Sequence, residues 1–285
     1  KDNSKPEIIN LYLRKAQFLN DQGKNEEAFE IYNNLLNQLD KSENDVTFIN
    51  KRLKIKVLNG LFSNESSEKM DAVEIKNRIH QLISAIDFLQ PQYENGTDRQ
   101  YLIKNTFETI QKAFDLNAAN YFKNGDKSAV ELAFQLSEKY RVISLRQDFV
   151  SQNLELDQNI DPALIREEKQ LKSQIFYLQN KISSNPILRD SLFQLNENYK
   201  LVKKKIKKEA PEFYASKFGN NIKTLKKAQE FLEDDQAFLS YFFGIKNLYV
   251  ISIDTNNYQL EKITWSNEDN LKLDTLLSEI STIKR

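Results

Sequence analysis

Between residues 6 and 38 apolar side chains recur at helical spacing: Ile9, Leu13, Ala16 and Leu19, then Ala28, Ile31, Tyr32, Leu35 and Leu36. The polar stretch Asp21-Gln22-Gly23-Lys24 separates the two sets, and its glycine suits a left-handed residue at a helix C-terminus. The pattern predicts a tight helical hairpin. Further helical segments are predicted over residues 48–62, 73–89, 99–123 and 127–147. Their stripes include Ile79, Leu82, Ile83 and Ile86, then Ile103, Phe107, Ile110 and Phe114, then Ala129, Leu132, Ala133, Leu136 and Tyr140. Residues 63–69 and 91–98 are polar connections, and Asn124-Gly125-Asp126 is a break.

The period then tightens to a heptad. Leu171, Ile175, Leu178 and Ile182 step 4-3-4, and Leu188, Leu192, Leu195, Tyr199, Val202 and Ile206 step 4-3-4-3-4. Ser183-Ser184-Asn185-Pro186 lies between them, and proline disfavours helix at the residue before it. A short connection predicts two arms packed antiparallel, with an intermolecular coiled coil as the alternative. After a short helix over residues 225–233 the period changes to that of strands. Residues 237–243, 247–254 and 258–265 are three β-prone runs separated by Gly244 and Thr255-Asn256-Asn257, an antiparallel meander. Residues 267–285 return to a helical pattern with Leu271, Leu273, Leu276, Leu277 and Ile280.

The stretch LYLRKAQFLNDQGKNEEAFEIYNNLL resembles a tetratricopeptide repeat. Tyr12, Ala16 and Leu19 fall at the large, small and large positions of that family's first helix, Gly23 in its turn, and Ala28 and Tyr32 at the small and aromatic positions of its second. Lys15 departs from it, standing where the family has an apolar residue. The resemblance implies an α-solenoid over residues 1–160. One pair cannot bury its own apolar face, so about three or more are expected to stack. It also implies a concave groove for a protein or peptide partner, lined by Asn10, Leu13, Gln17 and Asn20.

Over residues 100–265 the order of elements resembles the N-terminal part of the CHAT family, caspase-like cysteine peptidase domains fused to tetratricopeptide arrays. The residues carrying this are the Gly125-Asp126 break, Ala133-Phe134 running into Glu138-Lys139, a strand ending Tyr241-Phe242 and a strand opening Leu248-Tyr249. The expected architecture is mostly α: the repeat domain (1–160), an antiparallel helical hairpin (161–209), and a small antiparallel β-sheet with helix (210–285) that would start an incomplete caspase-like α/β domain. The family's histidine and cysteine would lie beyond these strands, so the resemblance implies a regulatory or scaffolding piece, cut before a catalytic half. The alternative is the regulatory portion of a peptidase whose reactive pair follows residue 285.

Composition narrows the chemistry. The 285 residues contain no cysteine, which removes disulfides, thiolate metal sites and a thiol nucleophile. The single histidine, His80, cannot build a triad or a multi-histidine metal site from this chain alone, and it reads as a flank residue beside Ile79 and Leu82. No catalytic residue and no cofactor are expected. Lys+Arg and Asp+Glu are 41 each, a balance that argues against nucleic acid as partner. The run Lys203-Lys204-Lys205-Ile206-Lys207-Lys208 reads as a solvated helix end whose cations complement the dipole. Asn64-Glu65-Ser66 and Asn95-Gly96-Thr97 match the glycosylation pattern, short enough to arise by chance in an Asn-rich chain. There is no targeting segment and no apolar run near the roughly 18 residues of a membrane span, so a soluble, cytoplasmic chain is expected. The absence of an initiating methionine suggests processing or excision. The sheet's open edge is expected to permit self-association.

Overall fold

The computed structural model describes residues 6–41, 48–65, 69–89, 96–153, 160–181, 188–211, 213–214, 224–245, 247–264, 266, 268–269, 271–272 and 275. The protein is mostly helical, with one small three-stranded antiparallel sheet. Among the described residues no helix is long and apolar enough to cross a membrane. The helices are α1 (Pro6–Asp21), α2 (Asn25–Lys41), α3 (Phe48–Ser63), α4 (Ala72–Leu89), α5 (Gly96–Asn124), α6 (Lys127–Asn153), α7 (Pro162–Lys181), α8 (Leu188–Glu209) and α9 (Leu225–Gln229). The strands are β1 (Phe238–Phe243), β2 (Asn247–Ile253) and β3 (Tyr258–Thr264).

The chain divides into two compact units, Lys1–Ile110 with Glu138–Ile222, and Gln111–Ser137 with Lys223–Arg285. The linear division at 160 and 209 therefore differs from the spatial one. Residues 111–137, read from sequence as part of the helical array, group with the sheet.

In the first unit α1 packs on α2 and α3, α2 on α3, and α3 on α4. Ile9, Leu13, Ala16 and Leu19 form the buried stripe of α1, facing Ala28, Tyr32, Leu35, Leu36 and Leu39 on α2. Gly23 between them takes φ +72°, and its N–H donates to the Asn20 carbonyl. A residue with a Cβ would be strained there, so glycine stops α1 and reverses the chain. Gly125 does the same between α5 and α6 at φ +69°.

The α7–α8 pair is antiparallel: Leu164 at the start of α7 clusters with Val202 and Ile206 near the end of α8, and the Tyr199 hydroxyl donates to Glu168 Oε1 at 3.1 Å. Of the expected seam Ile175, Val202 and Ile206 are buried, Leu171, Leu178, Leu188, Leu192, Leu195 and Tyr199 are half-buried, and Ile182 lies outside the described residues; α7 also buries Glu168 and Lys172. The connection holding Ser183 to Pro186 lies outside the described residues.

In the second unit the meander runs β1-β2-β3, both pairs antiparallel. The register places Phe238, Ser240 and Phe242 beside Ile253, Ile251 and Tyr249 on one face, continuing to Tyr258 and Leu260. That face is covered by the facing ends of α5 and α6. Phe114 stacks on Phe242 with ring centroids 4.0 Å apart and 12° between planes, and Phe134 meets Phe238 edge-on at 6.4 Å. The buried Asn117 ties α5 to α6 by donating to the Ala129 carbonyl at 2.7 Å. Of the terminal helix expected over 267–285, residues 268, 269, 271, 272 and 275 are helical, and the rest lies outside the described residues.

Candidate functional site

The groove expected on the first hairpin is only partly a free surface. Gln17 is exposed. Leu13 is buried in the α1 stripe and cannot meet a partner while α1 stays packed. Asn10 is half-buried and donates from Nδ2 to the Pro6 carbonyl at 2.9 Å. Asn20 is half-buried as well, and its Oδ1 accepts from Asn64 Nδ2 at 2.8 Å. Asn64 is fully buried and also donates to the Asn25 carbonyl at 2.9 Å, so Asn20 helps clasp the α1–α2 turn to the end of α3. Tyr12, assigned to a large packing position by the repeat pattern, is 41% exposed; the packed positions are Ile9 and Leu13, one turn apart.

Sequence reasoning missed Leu11 and Phe18, which are 66% and 63% exposed. They stand seven residues apart and so share one side of α1, opposite its buried stripe. Their spacing was the signal, hidden because the core stripe accounts for the helix without them. Arg14 and Lys15, each three or four residues from both, are the exposed polar residues beside them.

On the second hairpin an open cavity of about 540 Å³ is lined by Asp71, Val73, Glu74, Asn77, Arg78 and Gln81. Arg78 meets Asn33 at 3.1 Å, Glu74 at 3.3 Å and Gln81 at 3.4 Å, while Gln81 donates to Asp40 at 2.8 Å and Lys54 pairs with Asp40. This network bridges α2, α3 and α4 and engages Nη1 and Nη2 of the guanidinium, while its buried Nε makes no hydrogen bond to the described residues. His80 is exposed on α4, and no group of three or more potential metal ligands occurs among the described residues.

The lysine run on α8 is partly engaged. Lys203 Nζ lies 5.6 Å from the Tyr199 ring centroid and 6.0 Å from that of Tyr214, and Lys207 Nζ is 5.6 Å from Tyr214. Burial lowers the Lys203 pKa, and the Glu168 carboxylate partly opposes that.

The second unit presents an apolar surface of its own. The register puts Leu239, Tyr241 and Phe243 of β1, Leu248 and Val250 of β2 and Ile263 of β3 on the sheet face opposite Phe114. Leu248 and Val250 are nearly buried in the centre, whereas Leu239, Tyr241, Phe243 and Ile263 are 49%, 54%, 40% and 45% exposed. Large exposed apolar patches mark interaction sites. The turn joining β1 to β2 is held by Asp115 of α5, whose Oδ2 accepts from the Ile245 amide at 3.0 Å. Comparison with protein-family models, curated proteins and solved structures finds no match to this chain.

Proposed function

We propose that the chain is a protein-interaction scaffold of tetratricopeptide type, the N-terminal part of a CHAT-like protein, with no catalysis by these residues. The observation that carries the reading is the packing order of the first four helices. Each touches the next and α1 also touches α3, the order expected when helical hairpins stack into a solenoid. Supporting it, Ala16 and Ala28 are fully buried where close helix approach needs small residues, and Gly23 closes the turn.

The partner in this reading is a protein or peptide held on the outer side of α1 by Leu11 and Phe18, with Arg14 and Lys15 supplying polar contacts. Nucleic acid is disfavoured by the equal numbers of basic and acidic side chains. The full chain and its Leu11→Glu/Phe18→Glu variant test this in a pull-down. Both substituted positions are exposed, so helicity should not change. The variant should lose the captured polypeptide; equal capture by both would contradict the reading.

A second reading is favoured by the exposed apolar side chains of Leu239, Tyr241, Phe243 and Ile263 on the sheet and by β1 and β3 being its outer strands among the described residues. In it, residues 210–285 begin a caspase-like α/β domain whose histidine and cysteine follow residue 285, and the edges allow self-association when the chain stands alone. Any sequence that follows residue 285 tests it: a histidine and a cysteine placed after further strands support it, and their absence contradicts it.

A further inference from the structure

The lysines of α8 divide into two groups. Lys203 is half-buried, its ammonium held near the rings of Tyr199 and Tyr214, so it belongs to the flank of the packed side. Lys200, Lys204, Lys205, Lys207 and Lys208 are exposed. Phe193, Glu197, Lys200, Lys204 and Lys208 fall at i, i+4, i+7, i+11 and i+15, one stripe along the side opposite the buried Val202 and Ile206. Leu201 and Lys207 flank that stripe, one on either side. Phe193 is 67% exposed and Leu201 59%.

The chain as a whole balances 41 basic against 41 acidic side chains, but this stripe does not balance. Glu197 is taken by Lys200 at 2.6 Å. Asp190, exposed in the first turn of α8, stands about 21 Å of helix before Lys204, beyond the roughly 8 Å over which exposed charges act at physiological salt. Glu209 ends the helix five residues on from Lys204 and so on another side. Lys204, Lys207 and Lys208, with Lys205 beside them, therefore make one end of the stripe strongly positive.

We propose that this outer side of α8 rests on a bilayer of anionic phospholipid, with its lysines at the head groups and Phe193 and Leu201 at the boundary of the acyl chains. A lysine row alone would suit any polyanion; the apolar pair decides between them. A nucleic-acid backbone offers no apolar phase to an exposed leucine, whereas the membrane interface takes up the apolar residues of a helix lying flat in it. Lysine stems lie along such an interface while the ammonium reaches the phosphates. From Phe193 to Lys208 the stripe runs about 22 Å, long enough to meet several head groups. The proposal does not depend on the polypeptide contact on α1.

The full chain is tested by co-sedimentation with vesicles of phosphatidylcholine alone and of phosphatidylcholine containing one-quarter phosphatidylserine. It should sediment with the second and not the first, and half-molar salt should release it. A lysine near an anionic surface is worth about a fivefold change in partition, so Lys204→Gln/Lys208→Gln should weaken binding about 25-fold. Leu201→Ser should weaken it about fivefold. The chain contains no cysteine, so a polarity-sensitive fluorophore can be placed at Leu201→Cys alone, with Asn34→Cys on the exposed side of α2 as the control. The dye at 201 should shift to the blue on the anionic vesicles and the dye at 34 should not. This readout keeps the test decisive should the lysine variant fail to fold. Equal binding to both vesicles, binding to neither, unchanged binding by the folded lysine variant, or equal dye shifts at 201 and 34 would overturn the proposal. So would salt-dependent binding of duplex DNA without retention by anionic vesicles, which would assign the lysines to nucleic acid.

Discussion

Gly60 of α3 lies directly against the ring of Tyr32 of α2. A Cβ at residue 60 would sit 2.3 Å from Tyr32 Cε1 and 2.5 Å from Cζ, well inside contact distance. Tyr32 is 1% exposed and has nowhere to move. Glycine costs about 1 kcal/mol inside a helix relative to alanine, so its presence here reflects packing rather than propensity.

The Gly60→Ala substitution should therefore destabilise the protein, although alanine is the better helix former. Overpacking of this kind costs about 1–3 kcal/mol. Urea unfolding measures it, and Tyr32→Leu should recover part of the loss in the double variant. An unchanged midpoint for Gly60→Ala would mean that α2 and α3 do not meet this closely.

Lys139 is only 2% exposed and pairs with Asp87 of α4. Removing the carboxylate strands a buried ammonium. Asp87→Ala should cost about 2 kcal/mol, less than the roughly 3–5 kcal/mol of a fully buried pair because Asp87 itself is partly exposed. The double variant Asp87→Leu/Lys139→Met should lie close to wild type. A double-mutant cycle by thermal or urea unfolding gives the coupling, and independent, additive effects would contradict the pairing.

Three tyrosines should ionise late. Burial first, and then the Asp21 carboxylate, push the Tyr32 hydroxyl up to about 12. Burial raises Tyr140. Tyr249 is raised by burial, then by the charge of Asp115 and a hydrogen bond to it, against a smaller opposing hydrogen bond from Asn247. A pKa raised on folding gives stability that is full below the unfolded value near 10 and is lost as pH climbs through the folded value. Tyr32 thus ties stability to pH between about 10 and 12. Phenolate absorbance should show a late component coinciding with unfolding, reduced in Tyr32→Phe. Complete ionisation of all tyrosines near pH 10 would rule the burial out.

The sheet should exchange its amides unevenly. β2 is paired on both sides, whereas β1 and β3 are edges. In a confirmed monomer β2 amides should be slowest and the outward-facing amides of β1 and β3 fast. Uniform protection of all three strands by hydrogen exchange would mean that something covers the edges.

Much of this was legible in the amino-acid pattern. The hairpin α1–α2 follows from the Ile9-Leu13-Ala16 stripe and Gly23, and the meander from alternating runs cut by Gly244 and Thr255-Asn256-Asn257. The strand ends agree with the expected runs to within a residue or so, because turn residues mark them. Contacts distant in sequence were not legible. Nothing local to Phe114 shows that it stacks on Phe242, so the ends of α5 and α6 were read as part of the array, not as cover for the sheet. The buried charges Lys54, Lys139 and Glu168 were equally hidden, since helical periodicity assigns charged residues to the surface and their partners lie on other helices. The placing of Leu13 was hidden for a different reason: the repeat pattern fixed a register, while the apolar spacing of this chain turns α1 so that Leu13 points inward and Tyr12 outward.

The claim that the chain grips another polypeptide on the outer side of α1 is tested most directly by site-specific photo-crosslinking of the full chain in its native cells. A photoreactive phenylalanine analogue replaces Phe18 in one sample and Tyr177, exposed on α7, in another. The account predicts a discrete protein adduct from position 18 that is absent from position 177. No adduct at 18, or the same adducts from both positions, would contradict it.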